Sequence, residues 1–201
     1  MAEHNSKNKY EHGLIRNAAN FTPLTPLSFI QRTSRVFPEH TAVIHGEIKR
    51  SWHETYQRCI KLAAALNRRG IGKGDTVAMM LPNVPAALEA HFGVPMCGAV
   101  LNALNWRLDA NTITQILNHA ETKVLITDCE FALVVKEALG NCKNPPIVID
   151  IRDKSTDGEM LGEIEYEEFL CSGDSRFEWS LPEDEWDAIS LNYTSGTTGD
   201  P

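Results

Sequence analysis

The residues best suited to chemistry are the last nine: Tyr193, Thr194, Ser195, Gly196, Thr197, Thr198, Gly199, Asp200 and Pro201. Glycine permits backbone conformations closed to other residues, so successive N–H groups can point into one concavity. The hydroxyls of Thr194, Ser195, Thr197 and Thr198 can donate further hydrogen bonds to anionic oxygens. A phosphate suits this set. Composition by itself favours the plainer reading, a flexible Ser/Thr/Gly turn. The string is not a Walker loop, because Asp200 and Pro201 stand where Lys and then Ser or Thr would follow the second glycine.

A phosphate loop needs a strand to aim it, and Ala188 to about Tyr193 reads as one. Upstream, strands and helices alternate. Leu27, Phe29, Ile30 and Val36 suggest a short helix that stops before Pro38, and a hairpin follows with strands at 41–45 and 48–50 around Gly46. Ser51 and Glu54 form a capping box, in which each side chain satisfies a free backbone N–H of the other. The helix it opens carries an apolar stripe of Trp52, Tyr56, Cys59, Ile60, Ala63 and Ala64 and ends near Gly70. Further strands are predicted at 76–81, 98–101, 123–127 and 146–151. Helices are predicted through 86–94, 111–119, 131–139 and 166–170. Such alternation implies an α/β layer with a mainly parallel sheet.

Several other chemistries are disfavoured. The formal net charge of -8 offers no basic footprint for nucleic acid. That charge is regional, since residues 152–187 hold 13 acids and 3 bases, read as an exposed, poorly packed connecting segment. Gly70, Gly72 and Gly74 follow a helix and precede a strand, the reverse of a dinucleotide loop, and read as a helix stop and turn. No histidine or cysteine spacing suggests a metal site, and Ser195 lacks the glycine two places earlier that a nucleophile elbow needs. Five cysteines without a C-x-x-C pair suit a reduced, intracellular protein. Residues 1–20 form a polar tail with no signal-like apolar run, and no later stretch reaches membrane-spanning length.

The terminal string resembles the phosphate loop of the AMP-forming acyl-activating superfamily, which includes acyl-CoA synthetases, luciferases and peptide-synthetase adenylation domains. In that family the loop continues with Lys-Gly, whereas this sequence stops before the lysine. The resemblance extends to the turn and strand from Gly70 through Ala78, to Leu81-Pro82-Asn83, to Gly98-Ala99-Val100-Leu101-Asn102 with Asn105, Arg107 and Leu108, and to the stretch from Ala120 to Asp128. The opening Ala19-Asn20-Phe21-Thr22-Pro23-Leu24-Thr25-Pro26 is similar to plant acyl-activating enzymes near the benzoate- and short-chain-acid-CoA ligases.

The resemblance implies a partial amino-terminal domain of the acyl-CoA synthetase-like fold over 21–201. It also implies a two-step reaction in the complete enzyme. A carboxylate attacks the α-phosphate of ATP, accompanied by Mg2+, to give an acyl-adenylate and pyrophosphate; coenzyme A then displaces AMP. Thr194, Ser195, Gly196, Thr197, Thr198 and Gly199 are expected to cradle the β- and γ-phosphates. No catalytic residue and no metal ligand is expected within this segment, which is read as an amino-terminal fragment inactive alone. The expected partners are a small carboxylic acid, ATP and coenzyme A, with no nucleic acid and no membrane span. A cytoplasmic location is expected for this segment, with a peroxisomal one left open for a full-length relative. The alternatives are a piece of another adenylating enzyme or a non-catalytic nucleotide-binding protein.

Overall fold

The computed structural model describes residues 10, 13, 15–152 and 158–194. Helix α1 (Leu27–Val36) leads into an antiparallel hairpin of β1 (Thr41–His45) and β2 (Ile48–Ser51). Helix α2 (Trp52–Arg68) then starts at the expected capping box: the Ser51 hydroxyl accepts from the Glu54 N–H at 3.2 Å, and the Glu54 carboxylate accepts from the Ser51 N–H at 2.7 Å. Its other end is closed as the glycines suggested. Gly70 has φ 78°, and the N–H groups of Gly70 and Ile71 reach back to the carbonyls of Asn67 and Leu66. That pairing is a Schellman motif, which needs a left-handed residue just past the helix.

From there strands and helices alternate: β3 (Thr76–Met80), α3 (Pro85–Met96), β4 (Val100–Ala103), α4 (Ala110–His119), β5 (Val124–Asp128), α5 (Ala132–Gly140), β6 (Ile147–Ile151), β7 (Ile164–Glu165), α6 (Tyr166–Cys171) and β8 (Ser190–Leu191). The six strands from β3 to β8 form one sheet in the order β7-β6-β5-β3-β4-β8, with every pairing parallel. Central strands β3 and β5 are buried at every position, which explains why they read as continuous apolar runs rather than alternating ones.

Two cores flank this sheet. Val77, Met79, Leu101, Val124, Ile126 and Ile149 join the larger core with α1, α2, α3 and α6, while Ala78, Met80 and Leu125 join a smaller one with α4 and α5. The larger core is tightest where α2 meets α3. A Cβ at Gly93 would lie 2.8 Å from Leu62 Cδ2 and 3.0 Å from the Cys59 carbonyl oxygen.

Several expectations shift. The strand foreseen at 98–101 begins at Val100, because Gly98 adopts φ 88° to close the turn after α3. The helix foreseen from Phe131 to Leu139 is preceded by a 3-10 turn (Cys129–Phe131) capped by Asp128, whose carboxylate accepts from the Glu130 N–H. The last strand, expected over 188–193, is paired only at Ser190 and Leu191. Strand β7, two residues long, was not foreseen, since so short a run carries no periodicity. Within the acidic stretch, Tyr166, Phe169 and Leu170 are buried, and the Trp179 indole N–H donates to the Tyr56 hydroxyl at 2.9 Å. The expectation of poor packing therefore fails at α6, where three apolar side chains enter the core.

Candidate phosphate-binding site

In an open parallel sheet the strands deliver their following loops to one edge, the carboxyl ends, where ligands of such folds bind. Here that edge is built from the ends of β3, β4, β5 and β8. Strand β8 lies beside β4, with Leu101 opposite Ser190 and Asn102 opposite Leu191, and the Leu101 N–H donates to the Ile189 carbonyl at 3.0 Å. The chain leaves β8 through Asn192, Tyr193 and Thr194, which belong to neither helix nor strand.

Of the residues expected to cradle phosphate, Thr194 is exposed immediately past β8. Ser195, Gly196, Thr197, Thr198 and Gly199 lie outside the described residues, as do Asp200 and Pro201. The geometry therefore bears on the root of the loop. There, the half-buried Tyr193 ring packs against the smaller core, which includes Leu104, Ile113, Ile116 and Leu117. Its hydroxyl lies 2.6 Å from His119 Nδ1, and the two rings meet edge to face at 5.7 Å. Partial burial raises the Tyr193 phenol above its ordinary pKa.

On the neighbouring strand, Asn102 is fully buried, and neither its carboxamide oxygen nor its nitrogen has a hydrogen-bond partner among the described residues. Strand alternation places Asn102 on the Ala78 face, the same face as Tyr193. Beyond β4, the Arg107 guanidinium lies over the Trp106 ring at 4.7 Å, and Trp106 stacks on Phe131. Past the carboxyl end of β4 thus lie an exposed cation and an exposed aromatic ring, and within the strand a buried, unpaired amide.

Sequence reasoning proposed the loop but did not anticipate its surroundings. His119 read only as a lone histidine in a helix, and it is separated from Tyr193 by 74 positions. No local pattern links them; the link is made by parallel sheet order, which brings β8 beside β4.

The family pattern described as "AMP-binding enzyme" matches residues 30–201, most of the chain. The chain belongs to the AMP-binding enzyme family. Among its relatives, the acetate–CoA ligase CCL3 of Humulus lupulus is 48% identical over 201 residues, covering 94% of this chain and 35% of that protein. The peroxisomal acetate/butyrate–CoA ligase AAE7 of Arabidopsis thaliana is 46% identical, covering 91% of this chain and 34% of the relative. Among solved structures, the anthranilate CoA ligase AuaEII in complex with anthranoyl-AMP superposes with a TM-score of 0.81 at 21% identity, covering 92% of this chain and 35% of the other. The chain therefore has the fold of the corresponding part of acyl-CoA ligases and spans about a third of the length of the curated relatives it matches. None of its described helices is long and apolar enough to cross a membrane.

Proposed function

We propose that the protein carrying these residues is an ATP-dependent carboxylic acid–CoA ligase, and that this segment supplies its pyrophosphate-holding loop. The carrying observation is the position of the Ser/Thr/Gly string. It follows β8 at the carboxyl edge of a six-stranded parallel sheet, in a chain whose plant relatives are named as short-chain acid–CoA ligases. Such an edge can gather backbone N–H groups around an anion without any charged side chain.

In the first half-reaction an acid carboxylate oxygen attacks the α-phosphate, the bond from that phosphorus to the bridging oxygen breaks, and pyrophosphate leaves with the electron pair. Thr194, Ser195, Gly196, Thr197, Thr198 and Gly199 hold the β- and γ-phosphates and stabilise the charge that grows on the leaving group. Coenzyme A then attacks the acyl carbon and AMP departs. Mg2+ enters this scheme as the counter-ion of ATP. Among the described residues no group of three or more His, Cys, Asp or Glu side chains is arranged to hold a metal ion, so no step is routed through it. The identity of the acid belongs to the whole protein, as does its location. Several relatives, among them the acetate/butyrate–CoA ligase AAE7, are named as peroxisomal, while the five cysteines, all free, suit a reducing compartment such as the cytoplasm.

The decisive test uses Thr197→Ala and Thr198→Ala in the full-length protein. Acid-dependent exchange of labelled pyrophosphate into ATP should fall about a hundredfold, the loss typical of one donor aimed at developing charge. Thioester formation from pre-formed acyl-adenylate and coenzyme A should change far less, because pyrophosphate has already left. Equal slowing of both half-reactions would assign the threonines to structure instead.

A further inference from the structure

The pairing of β8 with β4 ends at Leu191, two residues before Tyr193, so sheet hydrogen bonds do not hold the start of the Ser/Thr/Gly loop. A Ser/Thr/Gly-rich sequence is entropically expensive to order, because glycine and short side chains have many conformations to lose. Something else must fix its root if donors are to be aimed before the nucleotide arrives. The contacts that reach this point are the packing of the Tyr193 ring on the smaller core and its 2.6 Å hydrogen bond to His119.

His119 is the last residue of α4, and α4 is a rigid post. Its first turn is capped by Asp109, whose carboxylate accepts from the Asn111 and Thr112 N–H groups. Its inner face buries Ile113, Ile116 and Leu117. Near its end the Asn118 side chain accepts from the Lys143 N–H, tying the helix to the segment before β6. A phenol clamped to this post carries the chain two residues short of Ser195.

Core stability does not account for the contact. His119 is exposed and Tyr193 only half buried, and a hydrogen bond at such a site adds little to folding. Whichever of the two atoms carries the proton, one hydrogen lies between Nδ1 and the phenol oxygen, so the contact survives either histidine tautomer.

We propose that His119 and Tyr193 are a positioning pair that preorganises the phosphate loop by anchoring its root to the end of α4. This rests on the ligase reading of the loop. The pair touches no reacting atom; it acts through the loop's placement, so its effect falls on nucleotide binding more than on the fold.

The experiment compares wild type with Tyr193→Phe, His119→Ala, the double variant and His119→Asn in the full-length protein. Asparagine can place a side-chain amide where Nδ1 stood. Either single break should raise KM for ATP in pyrophosphate exchange about fivefold, the effect of one hydrogen bond, with the melting temperature unchanged. The double variant should be no worse than the worse single one, and His119→Asn should recover most of the loss. Additive single effects, an unchanged KM, or His119→Asn behaving as His119→Ala would overturn the proposal. Backbone amide exchange across 194–199, measured without substrate, separates this claim from the ligase reading. If wild type shows no exchange of pyrophosphate with any acid, the ligase reading fails, yet amides severalfold faster in Tyr193→Phe than in wild type still support the anchor. Equal amide rates overturn it.

Discussion

Glu89 on α3 and Asn102 on β4 are both buried polar side chains, at 1% and 0% exposure, yet their surroundings differ completely. Glu89 Oε1 accepts from the guanidinium groups of Arg50 at 2.7 Å and Arg58 at 2.6 Å, and Oε2 accepts from the Tyr166 hydroxyl at 2.8 Å. Arg58 in turn grips Glu167 with two further nitrogens, at 2.8 and 2.6 Å. These five residues tie together β2, α2, α3 and α6. Asn102 has no partner among the described residues, although an unpaired buried amide costs roughly 1–3 kcal/mol. The satisfied network lies under the helices of the larger core; the unpaired amide lies on β4, beside the strand from which the proposed phosphate loop departs. Of this pair, the carboxylate in the scaffold is closed off by its partners and the amide beside the proposed site is left unpaired.

If that contrast is physical, the two regions respond oppositely to mutation. The largest effect belongs to Glu89→Ala, which leaves Arg50 and Arg58 facing a cavity and Tyr166 without its acceptor. Breaking a buried ion pair from one side costs about 3–5 kcal/mol, so the denaturant midpoint should fall sharply. A loss below about 1 kcal/mol would mean that water replaces the carboxylate easily, and the scaffold half of the comparison would collapse. Burial opposes ionisation of Glu167, but the Arg58 hydrogen bond and the charges of Arg58 and Arg50 outweigh it, leaving the carboxyl below its ordinary pKa. Glu167 thus carries its charge at neutral pH.

Next in size is Gly93→Val. The new side chain would begin within 2.9 Å of Leu62 Cβ and 3.0 Å of the Cys59 carbonyl oxygen, both on α2. Overpacking of this kind costs about 1–3 kcal/mol. Thermal unfolding measures it, and the same variant should leave His119 and Tyr193 undisturbed, because they lie on the opposite face of the sheet. A change in loop amide exchange would show that the two faces are mechanically coupled and would blur the comparison.

The scaffold was largely legible in the sequence because its signals are local. Ser51 and Glu54 are three residues apart, Gly70 stands just past its helix, and the apolar runs at Thr76–Met80 and Val124–Asp128 bound themselves. The proposed site was legible only as a string, because Tyr193 meets His119, and Asn102 lies opposite Leu191, through strand order rather than sequence distance. The Glu89 network was missed for the same reason: Arg50, Arg58, Glu89 and Tyr166 come from four elements. A glutamate inside the apolar helix α3 was a visible anomaly, since a carboxylate is seldom buried without partners. Strand β8 was overextended for a different reason. Tyr193 has a strand-like type, but the ladder with β4 is formed only at Ser190 and Leu191.

The smallest predicted effect concerns the feature most readable in advance. Ser51→Ala removes the hydroxyl that accepts from the Glu54 N–H and leaves one backbone donor at the start of α2 without its cap. Such losses are worth about 1 kcal/mol, less than those at Glu89 because the freed N–H can bond to water. The reciprocal half of the box is pH-sensitive. The Glu54 carboxyl is held below its ordinary pKa chiefly by the Ser51 backbone N–H and then by the Ser51 hydroxyl, with burial opposing. A carboxyl whose folded pKa is depressed contributes stability above its unfolded value, and that contribution fades as pH falls through the lower, folded value. The unfolded reference is 4.5, so the difference between Ser51→Ala and wild type should be full at neutral pH and shrink below about pH 4.5 as Glu54 takes up its proton in both. Chemical denaturation at pH 7 and at pH 3.5 tests this. A penalty independent of pH would mean that the serine hydroxyl acts alone, and that the carboxylate contact contributes nothing measurable to the start of α2.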